Sequence, residues 1–296
     1  MGSAFPSMTA PVRRIGGRTF DFDREVAVMA VINRTPDSFF DKGSTFALDK
    51  AVVAALTAVK DGADWVDIGG VPFGRGPVVT LDEELERVVP VVRAIAAESP
   101  VVISVDTFNA QVALASIEAG AAVINDTSGL YDPDMARAVA GTDATLVLTH
   151  SMSPPRAEPP RPEYVDVVDE VAAFLHDRVA RAIEAGIPRE RIIIDPGHDL
   201  NKNTYHSLEL TRRLREIVAL GYPTLAAVSN KDFVGEAIDR KQGERLEGSL
   251  AAAVFCILEG ARIVRMHDVP ATVAAVRMVE AILGWREPAW TLHNMG

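Results

Sequence analysis

The chain has 296 residues, 48% of them hydrophobic, and a formal net charge of −11. That size suits one large domain with ample core, and the charge excludes an extended phosphate backbone as a partner, so no nucleic acid is expected. Its single cysteine, Cys256, rules out an internal disulfide or a cysteine metal cluster and points to a reducing cytoplasm.

Residues 1–12 (MGSAFPSMTAPV) lack a long apolar stretch and read as a disordered start, not a signal peptide. Arg13–Asp23 sets Gly16-Gly17 between two short arms, which predicts a hairpin plugging the bottom of a barrel. Eight strand-then-helix units follow. Val26–Ile32 leads to a helix near Ala47–Asp61, Trp65–Ile68 to Leu81–Ala97, Val101–Val105 to Ala110–Ala119, and Ala122–Ile124 to Pro133–Val139. Thr145–Leu148 leads to Val165–Ala185, Ile192–Ile194 to Ser207–Leu220, Thr224–Val228 to Leu246–Glu259, and Ile263–Val264 to Ala271–Leu283.

The strands are β-branched and apolar without alternation, as in parallel strands covered by helices. Gly120, Gly186, Gly221 and Gly260 each stand between a helix and the next strand, where helix C-terminal glycines belong. Without a GxGxxG after the first strand, an open dinucleotide-binding sheet is disfavoured. The expectation is an α/β protein, a (β/α)8 TIM barrel with an N-terminal β-hairpin over residues 13–284, followed by a tail, 285–296. The longest apolar run, Ser249–Leu258, is too short to span a bilayer, so no membrane partner is expected.

A barrel of this kind gathers its site at the C-terminal strand ends. There the sequence places Asn33, Asp67, Asp106, Asn125 with Asp126, His150, Asp195, Lys231, and Arg265 with His267 and Asp268. Helix capping accounts for Asp126 and Asp268. It does not account for Lys231, Arg265 and His267, because cations do not cap helix N-termini. The ring therefore predicts a small polar ligand with a donor–acceptor edge and an anionic end. Asp106, Asn125 and Asp195 suit a nitrogen-rich heterocycle, since a carboxylate can accept two parallel bonds from an N–C–NH2 edge. Lys231 supplies a point charge near the ring, and Arg265 and His267 suit a phosphate or pyrophosphate.

Seven motifs, in order and each at its own strand end, resemble the dihydropteroate synthase family. They are Met29–Gly43 (MAVINRTPDSFFDKG), Asp67–Gly70, Ser104–Thr107, Ile124–Asp126, Asp195–Gly197, Ser229–Lys231 and Arg265–Asp268. The resemblance runs from about residue 13 to 284 and implies a pterin-binding barrel. It assigns Asp106, Asn125, Asp195 and Lys231 to the pterin. It assigns Asn33, Arg265 and His267 to pyrophosphate, with Mg2+ as cofactor beside Asn33. The family joins dihydropterin pyrophosphate to p-aminobenzoate and releases pyrophosphate.

Departures from the family pattern cluster on the second-substrate side. The family's ESTRPG is here Val71-Pro72-Phe73-Gly74-Arg75-Gly76, leaving Arg75, one position late, as the candidate catalytic arginine. GFGK has become Asp199-Leu200-Asn201-Lys202, and SRKS has become Ser229-Asn230-Lys231-Asp232, setting a carboxylate where the substrate carboxylate would lie. Arg34 and Phe40 change the first loop, and Thr149-His150-Ser151-Met152 departs from Met-His-Met-Arg. Two or three lost contacts at about 1.5 kcal/mol or more each would lower turnover by about two to four decades. The favoured reading is a homologue that is inactive or strongly impaired in this condensation. The alternatives are a working synthase rescued by Arg75, a pterin-type transferase using a different amine, and a non-catalytic binding or regulatory protein that pairs with an active relative.

His176, His206 and His293 are expected to be exposed, Trp65 and Trp285 to lie in the core, and Met135, Met266 and Met278 to serve packing. His198 suits either core or pocket. No HExxH or His/Cys cluster marks a structural metal. The helix expected at Leu246–Glu259 is apolar nearly all round, unlike an ordinary outer helix of a barrel. It predicts burial against a second copy, a homodimer, as the resemblance also implies.

Overall fold

The computed structural model describes residues 5–33, 44–72, 76–158 and 160–294; the candidate Arg75, and Arg34 and Phe40, lie outside the described residues. Strands β1 (Val12–Ile15) and β2 (Arg18–Asp21) form the antiparallel hairpin. Its turn needs glycine twice over: Gly16 and Gly17 have φ of +55° and +87°, and a Cβ on Gly16 would meet Ala122 Cβ at 2.7 Å.

Eight parallel strands follow: β3 (Ala27–Asn33), β4 (Trp65–Gly69), β5 (Val102–Asp106), β6 (Val123–Asp126), β7 (Thr145–Thr149), β8 (Ile192–Asp195), β9 (Leu225–Ala226) and β10 (Ile263–Met266). They lie in the order β8-β7-β6-β5-β4-β3-β10-β9. A single parallel bridge, Ile194 to Thr224, joins the two ends, so the sheet closes into the expected barrel. Around it run α1 (Ser44–Lys60), α2 (Leu81–Glu98), α3 (Ala110–Ala119), α4 (Met135–Ala140), α5 (Val167–Glu184), α6 (Thr204–Arg212), α7 (Leu214–Val218), α8 (Asp232–Ile238), α9 (Leu246–Glu259) and α10 (Val269–Ile282). The four glycines expected at helix ends all have positive φ, from 84° to 120°.

Strand parity sorts the barrel into two cores. Val66, Ile68, Ile103, Val105, Ile124, Leu146, Leu148 and Ile194 face the helices. Met29, Trp65, Val102, Val123, Val147, Ile193, Leu225 and Ile263 fill the interior, where the hairpin side chains Ile15, Phe20 and Phe22 join them. The hairpin is thus a floor, sealed further by Phe20 against Phe22 and Trp65, each at 5.7 Å between ring centres.

Three features differ from the sequence expectation. The helix expected at Ser207–Leu220 begins earlier, because Asn203 and His206 form a capping box, and it breaks at Arg213 into α6 and α7. Helix α8 was not anticipated, since seven residues containing Gly235 carry little helical periodicity. Residues expected in a disordered start make specific contacts: the Thr9 N–H donates to Gly221 O at 2.9 Å, and Phe5 packs on Trp285 at 5.6 Å. Arg13, 2% exposed, holds this layer by donating to the carbonyls of Thr9, Ala10, Glu190 and Ile192.

His176 and His293 are exposed as expected, while His206 is half-buried against Tyr164. Met135 and Met266 pack in the core, but Met278 is 60% exposed, so packing does not account for it. No helix among the described residues is long and apolar enough to cross a membrane.

Candidate functional site

The same parity that fills the barrel interior builds the site. Two residues beyond Trp65, Val102, Val123, Ile193 and Ile263, on the same faces of their strands, come Asp67, Ser104, Asn125, Asp195 and Arg265; Asp106 follows Ser104 by two more. The apolar interior therefore gives way to a polar layer at one level. Asp67 is its hub and is fully buried. It accepts from Ser104 Oγ at 2.6 Å, from Asn125 Nδ2 at 3.2 Å and from Arg265 Nε at 2.6 Å. Arg265 extends the bridge by donating Nη2 to Asp106 at 3.1 Å, and Thr127 Oγ1 donates to the same carboxyl group at 3.1 Å. Such charge-assisted bonds are about twice as strong as neutral ones. They place Arg265 between two carboxylates, so part of the cation expected to be free for pyrophosphate is already compensated.

Burial pushes the Asp106 carboxyl up to about 7 against the pull of Arg265. Burial likewise raises Asp195 to about 6, although the Gly197 N–H donates to it at 2.7 Å. Gly197 has φ +68°, and a Cβ there would lie 2.2 Å from His150 O, so only glycine can follow Pro196. Lys231 is half-buried; burial lowers its pKa, opposed first by Asp199. Its charge also acts on Asp195 and on His267. His267 is held by Ser229, with Nδ1 2.9 Å from Oγ, and its pKa is lowered to about 4 by partial burial, Arg265 and Lys231. It is therefore neutral at pH 7 and offers hydrogen bonds, not charge.

Asn33 ends β3 with its backbone in register with Gly69, which pairs in turn with Asp106. That register sets Asn33 at the level of the polar layer; its side chain lies outside the description. Asp126 turns out to organise its own loop, accepting from Ser128 N, Ser128 Oγ and Leu130 N, while Asp268 caps α10 by accepting from Ala271 N. Capping thus accounts for both, as the sequence indicated.

The loops after β7 and β8 carry residues that the sequence had not assigned. Lys202 Nζ is buried, 2.8 Å from His150 Nδ1, and donates to Gly197 O at 2.9 Å and Leu200 O at 3.0 Å. Burial lowers Lys202 to about 7 and His150 to about 2, so the pair is held with at most one positive charge. Asp199 and Asn201, where the family carries glycine, have φ of +65° and +53°. The loop makes left-handed turns at both, which Asp and Asn are among the non-glycine residues to tolerate best. Both side chains then do what glycine cannot. Asn201 Oδ1 accepts from Met152 N at 2.7 Å and Ser153 N at 3.1 Å, and its amide nitrogen donates to Ser153 Oγ. Asp199 Oδ2 accepts from the Asp232 N–H at 2.6 Å at the start of α8. Asp and Asn at the two positions where the family carries glycine were the sequence signal available here.

At the start of α8, the Asp232 side chain is 82% exposed and pairs with Arg245 Nη1 at 2.9 Å. Arg245 also donates to Asn230 O at 3.0 Å. The second loop is gripped from across the mouth: Arg156 Nη1 donates to Pro72 O at 2.7 Å, and its Nη2 to Pro77 O at 3.0 Å. These bonds reach both sides of the segment that holds Arg75.

A closed barrel of eight parallel strands, with carboxylates and cations gathered at one mouth, defines the class. The chain belongs to the family described as pterin binding enzyme, whose model matches residues 29–267. A Mycobacterium tuberculosis protein named inactive dihydropteroate synthase 2 is 45% identical over 285 residues, covering 94% of this chain and 89% of that protein. Escherichia coli dihydropteroate synthase is 40% identical over 261 residues, covering 88% and 93%. The structure of Xanthomonas albilineans dihydropteroate synthase with 4-aminobenzoic acid superposes with a TM-score of 0.86 at 38% identity, covering 93% of this chain and 99% of that one. The chain is thus a divergent dihydropteroate synthase homologue.

Proposed function

We propose that this protein binds a pterin in its strand-end layer and condenses it with p-aminobenzoate poorly or not at all. The observation that carries the reading is the contrast across the mouth. Asp106, Asn125 and Asp195 converge in one buried layer with Lys231 beside it, a set that suits the amino-pyrimidine edge of a pterin. Opposite them, Leu200 replaces the aromatic residue that would pack on an arylamine, and Asp232 brings a carboxylate to the place for the substrate's own. The Arg245 pairing screens that carboxylate without removing it. The name inactive dihydropteroate synthase 2, carried by relatives at 42–45% identity, points the same way.

His267, Arg265 and Asn33 are the residues we assign to a pyrophosphate end. Among the described residues no group of three His, Cys, Asp or Glu could hold a metal ion. Asn33 alone offers one neutral oxygen, so Mg2+ there would depend on phosphate and water oxygens for the rest of its octahedron. Bound Mg2+ would offset charge on the leaving pyrophosphate.

We also propose a homodimer in the cytoplasm. Phe255 and Leu258 of α9 and Met278 and Ile282 of α10 are between 42% and 68% exposed, an apolar surface on two packed helices. Light scattering at micromolar concentration should give twice the 31.8 kDa chain mass.

The deciding assay incubates the protein with dihydropterin pyrophosphate, p-aminobenzoate and Mg2+ and quantifies dihydropteroate by mass spectrometry. Product at the efficiency of a working synthase would overturn the reading. Calorimetric pterin binding without turnover would establish it.

A further inference from the structure

Buried polar atoms in folded proteins nearly always find a partner, and exceptions call for an explanation. Among the described residues six buried side-chain polar atoms have none, and four of the six belong to Asn125, Thr149 and His198. Asn125 spends its amide nitrogen on Asp67 and leaves Oδ1 unmatched. Thr149 ends β7 in register with Asp195 on β8, two residues beyond the interior Val147, which pairs with Asn125 on β6. It therefore sits between two members of the polar layer, is 1% exposed, and its hydroxyl is unpartnered. Where the family carries methionine, this chain has a donor and acceptor.

His198 is fully buried, three residues past Asp195, with its ring stacked on Phe233 at 5.7 Å. Burial, Lys202 and Lys231 lower its pKa to about 3, so it is neutral, with one donor and one acceptor, neither of them used.

Resting on the pterin reading above, we propose that Thr149 and His198 are specificity-determining contact residues that read a further polar edge of the bound heterocycle. The ligand class this favours is a pterin with an oxo group on its second ring. Its lactam NH–C=O supplies the adjacent donor and acceptor that an unsubstituted pterin lacks.

The test measures the affinities of pterin, 6-oxopterin and 7-oxopterin by fluorescence titration, for the wild type, Thr149→Val and His198→Leu. One oxopterin should bind the wild type at least tenfold more tightly than pterin does, and each substitution should cut that preference at least threefold. Thr149→Val should do so without lowering Tm, because it removes a hydroxyl that makes no bond in the free protein; a structural role would lower it. Equal binding of all three pterins, or a preference retained in both variants, overturns this inference and leaves the pterin reading standing. A wild type that binds none of them overturns both.

Discussion

The two sides of the barrel mouth are held in different ways. The side proposed for the pterin consists of side chains on strand ends, fixed by parity and register and tied through Asp67 to three neighbours. The other side consists of loops, tied by residues this chain has substituted: Asn201 to Met152 and Ser153, Asp199 to α8, Arg245 to Asp232. On the strand-built side Asp67, Ser104, Asn125 and Arg265 share their bonds with one another, and of the changes named above only Thr149 falls there. On the loop-built side Asp199 and Asn201 stand in left-handed turns where the family carries glycine, and their side chains add bonds that glycine cannot make. Apart from Thr149, the departures named above fall on loops, where the backbone carries the shape.

The largest effect that would break this contrast is expected at Asp67. Asp67→Ala leaves Arg265 buried beside one carboxylate instead of two, and stability should fall by about 3–5 kcal/mol in urea unfolding. A loss under 1 kcal/mol would show that the strand-end network is not the rigid side. Next comes Asn125→Ala, which should weaken pterin binding by roughly ten- to a hundredfold in calorimetry, corresponding to one or two hydrogen bonds.

Acid should act through the buried histidines. The folded pKa of His198, about 3, lies below the unfolded value, so from pH 7 to 4 the unfolded chain binds a proton that the folded chain refuses. Stability falls over that window, and His198→Leu should retain about 3 kcal/mol more than the wild type at pH 4, relative to pH 7. The carboxyls of Asp106 and Asp195, raised to about 7 and 6, act oppositely, because their folded forms hold protons that the unfolded chain releases. A pH series of Tm for both proteins separates the two contributions.

On the loop side, Asn201→Gly restores the family residue yet removes the staple to Met152 and Ser153; it should cost about 1–2 kcal/mol and speed proteolysis between β7 and α5. The smallest effect is expected from Asp232→Ser. Its ion pair is exposed, so stability should change by less than about 1 kcal/mol. Dihydropteroate formation should stay undetected, because Leu200 and the second loop remain altered.

Much of this was legible in the sequence, for reasons that also mark where it was not. Eight apolar runs separated by helical periods specified the barrel, and Gly16-Gly17 specified the floor hairpin. Asp106, Asn125, Asp195 and Lys231 were legible because each stands at the end of an apolar run. Ser104 and the hub role of Asp67 were not assigned, since recognising them needs the in–out parity of a strand whose two faces are both buried. Lys202 and Asn201 act across two loops, 48–52 residues from their partners, and no local pattern encodes such a pairing. Leu225–Ala226 is shorter than the expected strand because at Thr224 the chain only brushes β8 through one bridge, a tertiary event with no sequence period.

The hairpin floor has a kinetic consequence. With Ile15, Phe20 and Phe22 packed beneath Trp65 and Val102, the described residues close that end of the barrel. If the pterin occupies the layer of Asp106, Asn125 and Asp195, as proposed, and a second molecule the loops that carry Asp232 and Leu200, the first would have to enter earlier and leave later. Arrival and exit would then be last in, first out, and a compound lodged at the loops alone would lengthen the residence time of the pterin below it.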